Sequence, residues 1–349
     1  MTELNNEARI KTALIGYGFS SQTFHVPFLL CNDNFEITAI SSSKPELVKE
    51  KLPAVTVYAS AEALITEADV DLVIITTPNE YHFPLAKLAL ENGKHIVIEK
   101  PFVTNSQDGQ TLIDLAKKYD RVASVFQNRR WDGDFLTVKK LIDEERLGDV
   151  RVFESHFSRF RPTPKQRWRE SDAVGAGILF DLGPHLIDQT LQLFGMPQAV
   201  TAQCRQMREG CESVDFFHLV LHYEQHLAIL EATPYSSAPN ARFSVQGTKA
   251  QYVVQGLDPQ EDRLKAGISP KFDSWSQEDE ENFGHLYIDD QVKTVATERG
   301  KYQCYFSRIA KAITDNAEIP VTLDDALNNI KIIELAMESS DSGKTVTVS

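Results

Sequence analysis

Three side chains whose types can move protons and steady negative charge stand out by their setting in this sequence, and two of them lie four residues apart. Asp181 and His185 fall in GAGILFDLGPHLID, residues 175–188. A separation of four puts both on one side of a helix start. Gly183 and Pro184 between them suit a turn entering that helix, with proline near its first position. The third side chain, Lys100, ends the apolar run HIVIEK (95–100) and precedes Pro101. The proline fixes the backbone after the lysine and biases Lys100 towards an extended conformation. An imidazole titrates near neutrality and can act as base in one direction and acid in the other. An ammonium group can stabilise a developing alkoxide. The plainer alternative is a charged strand end, a helix-capping Asp181 and a buried His185.

The elements that must position these residues follow a strand–helix alternation in the first third of the chain. Strand candidates are 11–18, 35–42, 55–58, 71–77, 95–100 and 121–127, with apolar-periodic stretches such as 84–93 and 109–119 between them. Asn92-Gly93 closes the first of these stretches as a helix C-terminal signal. Buried apolar runs repeated in this way predict a doubly wound parallel sheet covered on both faces, over residues 1–125. After a helix expected at 137–148, closed by Gly148, the texture changes to longer strands with period-2 alternation at 150–160 and 199–207. Hairpins follow at 215–233, turning near Glu224-Gln225, and at 241–256, turning at Gly247-Thr248. Residues 126–349 therefore read as an α+β domain with a large, open, mostly antiparallel sheet, and the chain as α/β overall. One sheet face is to be covered by a helix at 185–195, and the other is available for a partner. The acidic stretch 269–284 reads as loop, and two helices close the chain.

In open parallel sheets, ligands bind beyond the carboxyl ends of the strands, near the switch in strand order. ALIGYGFSS places Gly16 and Gly18 after the first strand in a G-x-G-x-x-small spacing, with Tyr17, Phe19 and Ser20 in the same loop. The first glycine allows the tight turn, and the second lets the backbone approach a pyrophosphate at a helix N-terminus. Ser21 replaces the third glycine, and Pro27 implies a helix that starts late or kinks. At the end of the second strand, Ser42, Ser43 and Lys44 stand where a dinucleotide site selective for NAD would carry an acid. No acid occurs until Glu46. Hydroxyls and an ammonium bond a 2′-phosphate that a carboxylate would repel, which favours NADP over NAD. The fourth strand ends in TTPNEYH, so Thr76, Thr77, Pro78, Asn79 and His82 reach the same region as Glu99 and Lys100.

Taken together, GYG after the first strand, TTPNEYH, EKP (99–101) and GAGILFDLGPHLID resemble the glucose–fructose oxidoreductase/inositol dehydrogenase/rhizopine catabolism (Gfo/Idh/MocA) oxidoreductases over essentially the whole chain. The resemblance implies a Rossmann domain followed by a sheet domain, commonly paired sheet-to-sheet in dimers. It also implies that Lys100, Asp181 and His185 are the catalytic set and contact the substrate. The Ser-Ser-Ser-Lys segment and FHVPFL after the glycine loop are most similar to the NADP-dependent scyllo-inositol dehydrogenases of that family. Oxidising a secondary alcohol needs a hydride acceptor, a base and a positive group beside the alkoxide. Nicotinamide, His185 and Lys100 would supply these, with Asp181 bonding a neighbouring hydroxyl. A lysine beside a cationic nicotinamide could instead share the proton. The expected reaction moves a hydride between NADP and a ring carbon of a cyclic polyol or sugar. The rivals are an aldose dehydrogenase and a non-catalytic dinucleotide-sensing regulator on the same fold.

Weaker signals surround this set. QNRRW offers Arg129, with Gln127 and Asn128, to cofactor or substrate. QRWRE resembles the family's Trp-Arg segment beside the nicotinamide and adds Trp168. The strand 154–160 and Tyr235 are candidate substrate contacts. His218, His222 and His226 lack the arrangement of a zinc site, and no metal is expected. At 349 residues, 42% hydrophobic and 25% charged, the chain has the composition of a soluble two-domain protein. A net charge of −14 argues against nucleic acid as a partner. No apolar run approaches the roughly 20 residues of a membrane span. The polar start MTELNNEARIKT and the scattered Cys31, Cys204, Cys211 and Cys304 fit a cytoplasmic protein with reduced thiols.

Overall fold

The computed structural model describes residues 9–165 and 168–348; most of the polar N-terminal stretch and the Gln-Arg that opens QRWRE lie outside them. Six strands form the first sheet: β1 (Ile10–Ile15), β2 (Phe35–Ser41), β3 (Thr56–Tyr58), β4 (Leu72–Ile75), β5 (His95–Ile98) and β6 (Ala123–Val125). They run parallel in the order β3-β2-β1-β4-β5-β6. Every residue of β4 is buried, as a strand sandwiched by helices on both faces requires. Strand order reverses between β1 and β4, so the loops after β1, β4 and β5 open at one crevice.

The second sheet has nine strands among the described residues: β7 (Val150–His156), β8 (Ala199–Arg205), β9 (Phe216–His222), β10 (Leu227–Ala232), β11 (Ala241–Gly247), β12 (Gln251–Gln255), β13 (Gly284–Ile288), β14 (Gln291–Val295) and β15 (Val346–Thr347). Their order is β14-β13-β12-β11-β7-β10-β9-β8-β15. All pairs are antiparallel except β7 with β10. The period-2 pattern separates the two faces. Phe217, Leu219, Leu221, Ala228 and Leu230 are fully buried, under helices Gly133–Asp143, Gly183–Phe194 and Leu323–Ser342. Covering that face thus takes three helices rather than the single one expected at 185–195. Their neighbours Phe216, His218, Val220, Ile229 and Glu231 on the opposite face are only half-buried.

Two local readings are corrected. The helix expected to run to Gly148 ends at Asp143, because Glu145 takes a left-handed φ of 52° and the chain turns to bury Leu147. The stretch 269–284 is not plain loop but holds two 3₁₀ turns and ends at the first residue of β13.

Candidate active site

The glycine loop follows β1 directly. Gly16 has φ +93°, and a Cβ there would meet the Thr76 hydroxyl at 3.0 Å and its carbonyl at 3.3 Å, so this position demands glycine. A Cβ on Gly18 would meet nothing within 4 Å, which leaves open backbone where a pyrophosphate could approach. Ser21 is fully buried; its hydroxyl donates to the Gly16 carbonyl at 2.6 Å and lies 2.8 Å from the Thr76 hydroxyl. Residues Ser21–His25 form a π-helical turn and the α-helix begins at Val26, with Pro27 in its first turn. Tyr17 points its ring into the core, with 8% exposed, and so offers the crevice only its backbone. At the end of β2, the Ser42 hydroxyl accepts from the Lys44 backbone at 3.0 Å. The exposed Lys44 pairs with no carboxylate among the described residues.

A cleft of about 290 Å³ lies between the glycine loop and the second domain. From the first domain Phe19, Ser20, Thr76, Thr77, Asn79, Glu99 and Lys100 line it; from the second come Asn128, Arg129, Trp168, Asp181 and His185. Lys100, Asp181 and His185, separated by 81 and 85 positions from the first to the others, thus share one cavity. The Lys100 ammonium donates to the Asp181 carbonyl at 2.7 Å and to its carboxylate at 3.0 Å. The Lys100–Pro101 peptide is cis. His185 is 6% exposed, and its Nδ1 is buried without a partner among the described residues. Desolvation holds its pKa well below the ordinary histidine value, and the charges of Lys100, Arg129 and Arg242 push the same way. The imidazole is therefore neutral at neutral pH, the state a general base requires.

The helix carrying His185 is clamped from several sides. Arg130 makes a two-pronged pair with Asp188 at 2.7 and 2.8 Å and also reaches Asp325 at 3.2 Å. Gln189 donates to the Arg129 carbonyl at 2.8 Å and accepts from the buried Arg242 at 2.6 Å. Asn329 donates to the Pro184 carbonyl at 2.6 Å. Beneath them Arg129 pairs with Asp132 at 3.2 Å, and Tyr302 donates to the same carboxylate.

Glu99, beside the lysine, is also buried. Burial raises its pKa, but the hydrogen bond and charge of His25, the Ser20 hydroxyl and Lys100 outweigh that effect, and the net shift is downward. The His25 Nε2 lies 2.9 Å from the Glu99 carboxylate. The Thr77 hydroxyl is buried without a partner among the described residues at the cleft wall, as expected of a group whose acceptor or donor is a ligand. The open Gly18 backbone and this orphaned hydroxyl together fit a dinucleotide.

Some expected contacts lie elsewhere. His82 is fully buried, with its ring nitrogens 2.8 Å from the Pro101 carbonyl and 3.0 Å from the Thr77 carbonyl. It braces the two loops against each other and does not line the cleft, and burial holds its pKa below the ordinary value. Pro78 is exposed outside the cleft lining. Tyr235 bridges to Phe160 and donates its hydroxyl to the Met207 carbonyl at 3.2 Å, away from the cleft wall. Among the three histidines weighed for metal, His222 lies 2.8 Å from the Thr201 hydroxyl and His218 3.2 Å from Glu231, while His226 stacks on Tyr223. Arg159, in the strand 154–160 read as facing the substrate region, lines the cleft, and so do Arg161, Glu261 and Lys265, which the sequence did not single out. Glu261 pairs with Lys265 at 2.6 Å and with Arg129. No motif marks these four, because they come from a strand extension and a short helix, Gln260–Lys265.

Comparison with known proteins agrees with this architecture. Residues 10–127 match the model described as "Oxidoreductase family, NAD-binding Rossmann fold", and residues 139–348 match "Oxidoreductase family, C-terminal alpha/beta domain", the two halves of the Gfo/Idh/MocA pattern. The chain is 44% identical to the uncharacterized oxidoreductase YdgJ of Escherichia coli K12, over 95% of this chain and 96% of that one. It is 40% identical to the scyllo-inositol 2-dehydrogenase (NADP(+)) IolW of Bacillus subtilis, over 97% and 95%. Among solved structures, the oxidoreductase yvaA of Bacillus subtilis superposes with a TM-score of 0.94 at 39% identity, covering 98% of this chain and 99% of that one.

Proposed function

Because the chain belongs to the Gfo/Idh/MocA family of oxidoreductases, we propose that it is an NADP-dependent dehydrogenase acting on a ring hydroxyl of a cyclic polyol or sugar, with scyllo-inositol as the reference substrate. The observation that carries this reading is the shared cleft in which Lys100 donates to Asp181 beside a neutral, buried His185. Bound along the glycine loop, the nicotinamide of NADP would supply the hydride acceptor or donor. His185 takes the hydroxyl proton in the oxidative direction and returns it in the reductive one. Lys100 holds its charge at the substrate oxygen, where an alkoxide develops, and it needs no reorganisation because Asp181 already fixes its position. Asp181, which lines the same cleft, would orient a neighbouring hydroxyl of the substrate. Support for scyllo-inositol comes from the activity named for the Bacillus subtilis relative.

For the cofactor, Ser42, Ser43 and Lys44 are the residues proposed to bind the 2′-phosphate. The test is kcat/KM with NADP and with NAD in the parent and in Lys44→Glu. A charge-assisted contact to phosphate sets the expected loss of NADP preference at about 10- to 100-fold. A parent that prefers NAD, or a variant with an unchanged ratio, would remove these residues from cofactor selection. The half-buried face of the nine-stranded sheet is proposed as the surface that pairs with a second copy. No described helix is long and apolar enough to cross a membrane.

A further inference from the structure

Beyond β7 the chain keeps an extended path beside β10: the backbone N–H groups of Phe157, Arg159 and Arg161 donate to the carbonyls of Glu231, Thr233 and Pro234 at 2.9, 3.0 and 2.7 Å. The period-2 geometry of that path sends all three side chains to one side. There a pocket of about 60 Å³ adjoins the cleft and shares Arg159, Arg161, Arg169 and Asp181 with it. Arg208 lies in the same wall but is already neutralised, pairing with Asp215 at 2.9 Å and Glu170 at 3.5 Å. Arg169 lies 3.5 Å from Asp181.

Arg159 and Arg161 differ from these neighbours. Arg159 is half-buried with its guanidinium over the Phe157 ring at 4.6 Å. Among the described residues, neither guanidinium has a hydrogen-bond partner or a carboxylate within 4.0 Å. A partly desolvated guanidinium held in no ion pair is costly; the charges of Glu261 and Asp181 offset this only in part at Arg159, and the exposed Arg161 adds repulsion. Burial and the charge of Arg161 both hold the Arg159 pKa below the ordinary arginine value. The fork geometry of guanidinium groups matches carboxylate and phosphoryl oxygens.

We propose that this arginine pocket is a subsite for an anionic group, a carboxylate or a phosphoryl, carried by the polyol or sugar whose hydroxyl lies between Lys100 and His185. The inference rests on the dehydrogenase reading and extends its substrate class from neutral polyols such as scyllo-inositol to acidic ring compounds. The pocket has room for a few heavy atoms, the size of such a group, and it adjoins the cleft at the shared residues. The group would bond Arg159 and Arg161, leaving Lys100 free for the reacting oxygen.

The test is calorimetric binding to the NADP-loaded protein of matched pairs: galacturonate against galactose, glucuronate against glucose, and glucose 6-phosphate against glucose. Each pair is measured in the parent and in Arg159→Gln, with turnover of the same compounds followed by nicotinamide absorbance. The expected result is at least one anionic member bound about 10- to 100-fold tighter than its neutral partner, with that ratio lost in Arg159→Gln. The carboxylate and phosphate arms distinguish the two sources of charge. Equal binding within every pair, failure of every anionic probe to bind, or a preference that Arg159→Gln leaves intact would overturn the subsite. Selective anion binding without turnover of any compound would instead overturn the dehydrogenase reading and keep the subsite. Turnover without anion preference would do the reverse.

Discussion

At His185 the imidazole meets positive charge from Lys100, Arg129 and Arg242 while shut away from water, so protonating it would add one more buried cation to three. The sign of the pH dependence follows directly. The working base is the neutral ring, which exists above its pKa, and that pKa is displaced downward. The kcat/KM for oxidation should stay level as pH falls through the ordinary histidine range around 6.5 and decline only at lower pH. A pH–rate profile with its inflection at or above 6.5 would show that another group takes the proton. Replacing the imidazole, in His185→Asn, should lower kcat by about 100- to 10,000-fold. This part of the site was legible in the sequence because Lys100, Asp181 and His185 sit in short motifs at strand and helix ends. The strand 154–160 could be placed near the substrate, but Arg159 and Arg161 did not stand out, since an arginine on a strand extension reads like any solvated surface charge, and Arg161 is indeed exposed.

The turn that delivers Asp181 and His185 depends on Gly177. Its φ is +91°, and a Cβ would come within 2.7 Å of the Val214 carbonyl and 3.1 Å of its nitrogen. Gly195, at the far end of the helix, also has positive φ, +70°, but open space around it. Gly177→Ala should therefore cost about 2–4 kcal/mol of unfolding free energy, against about 1 kcal/mol for Gly195→Ala. Denaturant midpoints compare the two, and equal losses would mean that the close approach to Val214 is relieved by a small backbone shift. The strands of the first sheet were readable as buried apolar runs, yet all but β3 ended earlier than their runs. HIVIEK, for example, leaves the sheet at Ile98, because apolar content marks burial rather than ladder pairing. Strands β13 and β14 were missed for the opposite reason. Their residues are mostly exposed edge positions with a weak apolar pattern, and only pairing with β12 makes them strands.

Across the whole molecule, the nine-stranded sheet keeps one face under helices and leaves Val220, paired across to Ile229 and Thr201, half-buried on the other. If that face meets its copy, a carboxylate placed there would be buried without a partner. Sedimentation should show the parent as a dimer and Val220→Glu as a monomer at the same loading; a parent that sediments as a monomer removes the sheet face as an interface. The fold also explains why residues so far apart in sequence could be expected to act together. The end of β5 and the turn from helix Ile178–Asp181 into helix Gly183–Phe194 belong to different domains and different halves of the chain, and their side chains meet only because the second domain closes over the crevice of the first. The most direct test of that convergence is steady-state turnover with NADP, across inositol isomers, aldoses and their acids, for the parent beside Lys100→Met. The account predicts measurable turnover in the parent and a fall in kcat of about 100- to 1,000-fold in the variant. Equal turnover in the two proteins would contradict it.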